Sequence, residues 1–122
     1  MTGNALVIGV SSGIGKAVAE ALLRDGWTVL GTSRRKPTIG HERFSWIATD
    51  LVSKYQAGRL GNAVSRFGAA LDVLVHCAAT YGPLGLLADV DPDDWVRPLT
   101  VNLEGTYHVV RSVLPYLRQS ED

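Results

Sequence analysis

The stretch ALVIGVSSGIGKAVAEALL, at residues 5–23, joins an apolar run to a glycine-rich turn and then to an amphipathic pattern. The run at residues 5–10 is rich in β-branched side chains, which predicts a buried strand. Apolar residues then recur at helical spacing, and we expect Gly26 to end the helix. A strand, a glycine turn and a helix in this order direct backbone N–H groups at one point. This arrangement favours the binding of an anionic phosphate.

Strand and helix patterns continue to alternate along the chain. Further strands are predicted at residues 27–33, 44–50 and 71–79, and further helices at 53–67 and from 91 to about 119 with a kink at Pro98. This alternation predicts an α/β fold, with a parallel sheet and right-handed crossovers, in one domain over residues 1–122. Residues 34–43 are too few for a full helical crossover, so we expect a loop there and thin cover over one side of the sheet. The fourth strand is nearly all apolar, which favours cover on both of its faces.

The composition argues against several classes of protein. The 12 basic and 12 acidic side chains balance, so neither a nucleic-acid surface nor a polybasic membrane anchor is expected. Cys77 is the single cysteine, which excludes an intrachain disulfide and favours a reducing compartment. No signal-peptide pattern and no run long enough to span a membrane occur, which predicts a cytoplasmic protein. His41 and His108 show no metal-ligand spacing, so no metal site is predicted.

The glycine turn is spaced Gly9-x-x-x-Gly13-x-Gly15, which differs from the G-x-G-x-x-G pattern of many dinucleotide-binding proteins. Taken alone, these glycines are also consistent with a role in packing only. The second strand, however, ends in Arg34 and Arg35 with no acidic residue beside them. Arginines at this point can pair with the 2′-phosphate of NADP, whereas a carboxylate would bind the ribose hydroxyls. The alternative is a solvated basic loop, and the glycine turn upstream favours the phosphate site.

Four motifs follow one another in order: IGVSSGIG at residues 8–15, Asp50 followed by Leu51, HCAA at 76–79 and VNLEG at 101–105. With these motifs the chain resembles the N-terminal part of a classical short-chain dehydrogenase/reductase. The corresponding motifs of that family are T-G-x-x-x-G-I-G, an aspartate after the third strand, N-N-A-G and V-N-L-x-G. The resemblance covers essentially all of the chain but only about half of a usual family member. It implies a Rossmann-like, doubly wound parallel sheet that is truncated after the fourth strand and its following helix.

The resemblance also implies a site for NADP(H), preferred over NAD(H). In that site the glycine turn surrounds the pyrophosphate, the end of the second strand holds the 2′-phosphate, and Asp50 and Leu51 contact the adenine. The implied cofactor-binding residues are Gly9, Ser11, Ser12, Gly13, Ile14, Gly15, Ser33, Arg34, Arg35, Asp50, Leu51, Cys77, Ala78 and Ala79. Of the catalytic residues of the family, only the asparagine that holds a water relay has a match, and that match is Asn102.

The sequence departs from the family pattern at two apolar residues and in its catalytic residues. Ile8 stands where the family has threonine, and Ala79 stands where the family has glycine and could crowd the nicotinamide. We hypothesise that a polar tie between the first and fourth strands has become an apolar contact. Restoring threonine at position 8 would then bury an unpaired hydroxyl. The family's proton-transferring pair, spaced Y-x-x-x-K, is absent, because none of the tyrosines at positions 55, 81, 107 and 116 has a lysine four residues later.

Three interpretations remain open from the sequence. The first is an NADP(H)-dependent oxidoreductase that moves a hydride between the nicotinamide and a small carbonyl or alcohol substrate, with its serine, tyrosine and lysine absent from this chain. The second is a non-catalytic nucleotide-binding or assembly module, or a fragment or short form of such an enzyme. The third, which a site narrowed by Ala79 allows, is a remnant that folds but binds no nucleotide. Because the fourth strand would be an apolar sheet edge, we also expect a homodimer or a higher homo-oligomer.

Overall fold

A computed structural model describes residues 2–68 and 70–119, so the ends of the predicted domain, at residues 1 and 120–122, lie outside the described ranges. In these ranges a parallel sheet has the strand order β3-β2-β1-β4. The strands are β1 (Asn4–Ile8), β2 (Thr28–Ser33), β3 (Phe44–Ala48) and β4 (Val73–His76). The predicted α/β, Rossmann-like parallel sheet is therefore confirmed.

Five α-helices lie between or after these strands in the described residues. They are α1 (Gly13–Arg24), α2 (Lys54–Gly58), α3 (Leu60–Phe67), α4 (Pro92–Leu99) and α5 (Gly105–Leu117). A 3₁₀ turn (Leu87–Asp89) precedes α4, and a π-helical turn (Thr100–Glu104) joins α4 to α5. No helix in the described residues is long and apolar enough to cross a membrane.

The end of α1 shows how the sequence stops a helix. Gly26 has a φ of 92°, in the left-handed region that glycine adopts without strain. The N–H of Gly26 donates to the carbonyl of Leu23, and that of Trp27 donates to the carbonyl of Leu22. This pair of bonds is the Schellman motif, which satisfies carbonyls that the helix itself leaves free. The predicted role of Gly26 is thus confirmed.

The sheet separates two apolar clusters. On one face Leu6, Ile8 and Leu30 pack against side chains of α2, α3 and α5. On the other face Ala5, Val7 and Val29 pack against α1. The alternation of successive side chains between the two faces explains why β1 is apolar at every position from Ala5 onward.

Two helices differ from the sequence prediction. The predicted helix at 53–67 is divided at Arg59 into α2 and α3, and the predicted helix from residue 91 is divided by the π-helical turn at Thr100–Glu104. The strand β4 has cover on both faces, as expected, because Leu74 packs against the cluster of α2, α3 and α5 and Val73 and Val75 pack against the cluster of α1. Its side chains are only half-buried because β4 lies at an edge of the sheet. Residues 34–43 do form a loop, and β3 beside it has exposed side chains, as expected.

Candidate functional site

A cavity of about 270 Å³ lies at the carboxyl ends of the parallel strands. This is where ligands bind in open α/β sheets, because loops from neighbouring strands diverge there. The residues that line it are Ile8, Gly9, Ser11, Ser12, Thr32, Ser33, Arg34, Arg35, Thr49, Asp50, Leu51, Val52, Cys77, Ala78, Ala79, Thr80, Arg97 and Val101. Every cofactor-binding residue named from the sequence lines this cavity except Gly13, Ile14 and Gly15.

The glycine turn brings the backbone of three segments into close contact. Gly9 has a φ of 93°, and a Cβ atom there would lie 2.8 Å from the backbone nitrogen of Ala78. A Cβ atom on Gly15 would overlap the carbonyl group of Gly9, with 2.7 Å to its carbon, and would lie 3.2 Å from Cβ of Cys77. These two glycines therefore let β1, α1 and the end of β4 meet beside the cavity.

The N-terminus of α1 is left open toward the cavity. Ser12 is the N-cap residue, yet its side chain makes no capping hydrogen bond within the described residues. The first helical N–H groups and the positive end of the helix dipole are then free for an anion. Ser11 and Ser12 line the cavity, whereas the side chain of Ile14 is 77% exposed and points away from the core.

The end of β2 presents a positively charged turn to the same cavity. Arg34 and Arg35 are exposed and line it. Ser33 is buried, and its hydroxyl donates to the carbonyl of Arg35 at 2.5 Å while accepting from the indole N–H of Trp46 at 2.9 Å. On the far side of the loop, Nζ of Lys16 donates to the Thr38 hydroxyl at 3.2 Å.

The segment after β3 forms the opposite wall. Asp50 Oδ1 accepts from the backbone N–H of Val52 at 3.1 Å, and the N–H of Asp50 donates to Oε1 of Gln56 at 2.8 Å. The carbonyl of Asp50 also accepts from the N–H of Ser53. This tight turn presents Asp50 and Leu51 to the cavity, because both backbone groups of Asp50 and one carboxylate oxygen are bonded within the turn.

The loop after β4 is held by Asn102 from the π-helical turn. Its Oδ1 accepts from the backbone N–H of Thr80 at 2.9 Å, and its Nδ2 donates to the carbonyl of Thr80 at 2.8 Å. Thr80 lines the cavity and Asn102 does not. The side chain of Asn102 therefore fixes the wall of the site in this structure. The π-helical turn that carries Asn102 is itself a feature that is frequent at functional sites.

A polar chain links β4 to the same turn. The hydroxyl of Thr106 donates to the carbonyl of Asn102 at 2.6 Å, so it accepts from Nε2–H of His76 at 2.8 Å. This pairing leaves Nδ1 of His76 as an acceptor, and it is buried without a partner among the described residues. Burial lowers the pKa of His76, because a charged imidazolium would lose hydration there.

Ile8 lies between two unpaired polar atoms. In the strand register it is opposite Thr32 on one side and His76 on the other. The Thr32 hydroxyl and Nδ1 of His76 are both buried without a hydrogen-bond partner among the described residues. Ile8 itself is 1% exposed and belongs to the apolar cluster on this face. Where the family resemblance implies a polar contact between β1 and β4, this chain thus has the apolar side chain of Ile8.

Sequence reasoning did not identify several residues of the cavity wall as site residues. Thr32, Thr49 and Val52 flank residues that the motifs did identify, so their inclusion follows from the strand ends. Arg97 and Val101 come from α4 and the π-helical turn, and only tertiary structure brings them to the cavity. No cluster of potential metal ligands occurs in the segments of the chain that the structure describes.

Comparison with known proteins identifies relatives along almost the whole chain. A family model described as short chain dehydrogenase matches residues 3–122. The oxidoreductase BOA17 of Botryotinia fuckeliana is 33% identical over 125 residues, which cover 94% of this chain and 44% of that protein. The chain therefore spans about half the length of the curated relatives it matches, or less.

Solved structures share the fold. The ligand-free aldohexose dehydrogenase of Thermoplasma acidophilum has a TM-score of 0.88 and 26% identity, covering 99% of this chain and 46% of that one. A short chain dehydrogenase of Shigella flexneri complexed with NADP has a TM-score of 0.82 and covers 97% of this chain and 54% of that one. Its identity is 23%, so this second likeness supports the fold alone.

Proposed function

Because this chain belongs to the short chain dehydrogenase family, whose members bind nicotinamide cofactors, we propose that its cavity binds NADP(H) in preference to NAD(H). The whole protein would then be an oxidoreductase that acts on a small carbonyl or alcohol substrate. The observation that carries the preference is the exposed pair Arg34 and Arg35 at the cavity, where a carboxylate would instead select the free ribose.

The residues present fit a dinucleotide. The open N-terminus of α1 and the hydroxyls of Ser11 and Ser12 suit the pyrophosphate. Because Gly9 has no side chain, its backbone approaches that of Ala78 closely at the wall of the cavity. Asp50 and Leu51 form the wall beside which we place the adenine.

When bound, the nicotinamide supplies or accepts the hydride. In this proposal the chain's own residues bind and orient it: Cys77, Ala78 and Ala79 line the end of the cavity beyond the glycine turn, and Asn102 holds Thr80 in that wall. Asn102 is also the match to the family's water-relay asparagine. The family's tyrosine and lysine pair has no match, so we expect cofactor binding, rather than turnover, from the 122-residue chain alone.

Calorimetric titration with NADPH and, separately, NADH tests this proposal. We expect saturable binding that favours NADPH, and a loss of that preference in Arg34→Ala with NADH binding retained. Arg43→Ala is the matched control, because Arg43 is exposed on the same loop but does not line the cavity. Equal affinities for the two cofactors would refute the preference, and no binding of either would refute the site.

A second function, self-assembly, is favoured by a different surface. Large apolar side chains are exposed along α4, the π-helical turn and α5: Trp95, Val96, Leu99, Leu103, Tyr107, Val110 and Leu114. Large exposed apolar patches, in contrast to single scattered residues, mark protein–protein interaction sites. We propose that the chain forms a homodimer or larger homo-oligomer through this face and the edge of β4. Light scattering tests this, and a monomeric mass at micromolar concentration would refute it.

A further inference from the structure

We propose that Trp46, a residue outside the cavity, determines how strongly the site selects a 2′-phosphate, by fixing the turn that carries Arg34 and Arg35 through the hydroxyl of Ser33. This inference rests on the proposed binding of NADP(H). Trp46 does not line the cavity, so it acts as a positioning residue and not as a contact to the cofactor.

The two hydrogen bonds from Trp46 to Ser33 and from Ser33 to Arg35, here called the relay, leave little freedom to the Ser33 hydroxyl. An indole N–H can only donate, so the 2.9 Å contact from Nε1 of Trp46 makes Ser33 Oγ an acceptor on that side. The single proton of the hydroxyl is then directed at the carbonyl of Arg35, 2.5 Å away. This second bond closes the backbone around Arg34, because it joins residue 33 to residue 35.

The two arginines need such support because nothing else in the described residues holds them. Arg34 and Arg35 are exposed, and no hydrogen bond or ion pair of their side chains to another described residue is seen. A backbone that is fixed between them reduces the ordering needed for their guanidinium groups to converge on a phosphate. Preorganisation of this kind raises affinity by reducing the ordering that binding must otherwise impose.

The other end of the relay is rigid. Trp46 lies opposite Gly31 in the register of β3 and β2, and it packs against the apolar cluster on the α1 face. A Cβ atom on Gly31 would lie 2.7 Å from the ring of Phe44, so the strand pair is tightly packed at this point. The indole is therefore held by the core while its N–H reaches the turn.

The test compares the NADPH and NADH affinities of Trp46→Phe with those of the wild-type chain. Phenylalanine keeps most of the packing and removes the N–H. We expect NADPH affinity to fall by about three- to tenfold, the effect of one lost hydrogen bond, while NADH affinity changes by less than about twofold. Trp27→Phe is the matched control, because Trp27 packs against the same cluster and does not line the cavity.

A double-mutant cycle separates the relay from a general loss of packing. If Trp46 acts through Ser33, the effect of Trp46→Phe on the NADPH to NADH ratio disappears in a Ser33→Ala background. An equal effect in both backgrounds, or an unchanged ratio in a folded Trp46→Phe, overturns this inference and leaves the proposed function standing. A wild-type chain without any preference for NADPH overturns the proposed function, and this inference falls with it.

Discussion

Gly15→Ala tests how closely the first helix approaches the glycine turn. The added Cβ would overlap the carbonyl of Gly9 and lie 3.2 Å from Cβ of Cys77, so backbone has to move. Overpacking of this kind costs about 1–3 kcal/mol. Alanine gains up to about 1 kcal/mol over glycine within a helix, and less in its first turn. The expected net loss of stability is therefore about 1–2 kcal/mol.

Gly58→Ala is the matched control for this substitution. Gly58 is the last residue of α2, has no positive φ, and has no atom within 4 Å of an added Cβ. The same change of residue is therefore expected to stabilise the chain by a few tenths to about 1 kcal/mol. The two substitutions should therefore shift stability in opposite directions, because an added Cβ meets backbone atoms at Gly15 and open space at Gly58.

Urea unfolding followed by circular dichroism measures both variants against the wild-type chain. At about 3–5 °C per kcal/mol for a domain of this size, Gly15→Ala should also melt about 3–10 °C lower. Displacement of the Gly9 carbonyl should weaken NADPH binding below the melting range, because Gly9 lines the cavity. A Gly15→Ala chain as stable as the wild type would refute the close approach on which the described site depends.

Three further predictions concern the core around the site. Ile8→Thr should destabilise the chain by about 1 kcal/mol or more, because a buried methyl is lost and a hydroxyl has to be desolvated even where it bonds the Thr32 hydroxyl or Nδ1 of His76. Ile8→Val measures the loss of the methyl alone, and a neutral Ile8→Thr would contradict this expectation. Burial lowers the pKa of His76 in the folded chain, so the unfolded chain binds the imidazole proton at a higher pH, and the free energy of unfolding should fall as pH drops below about 6.5. His76→Asn should make the free energy of unfolding less dependent on pH in urea titrations, and an unchanged dependence would count against this expectation. Gly61→Ala should cost about 1–2 kcal/mol net in the same unfolding assay, because its Cβ would overlap the carbonyl oxygen of Ser112 on α5. A stabilised variant would refute the tight contact between α3 and α5.

The motifs of the sequence predicted most of the cavity, because they follow strand ends. Gly9, Arg34, Asp50 and Cys77 each lie at or near the end of a predicted strand, and the carboxyl ends of parallel strands meet at one edge. Arg97 was missed because it comes from α4, and no local pattern distinguishes a helical arginine that faces the site from one that faces solvent. The contacts of Ser33 with Trp46 and Arg35 were also beyond sequence reasoning, since they depend on the pairing of β2 with β3.

The sequence by itself determined the parallel α/β fold, the glycine turn and the loop at residues 34–43. Hydrophobic periodicity, the backbone freedom of glycine and the length of a connection each depend on a few neighbouring residues, so they can be read from the chain directly. Only the tertiary structure decided that α4 and α5 are separated by a π-helical turn and that Asn102 bonds the backbone of Thr80. It also decided which side chains flank Ile8 and leave the Thr32 hydroxyl and Nδ1 of His76 without a hydrogen-bond partner among the described residues. These features join residues far apart in the chain, and their energies depend on packing and register, which no local pattern records.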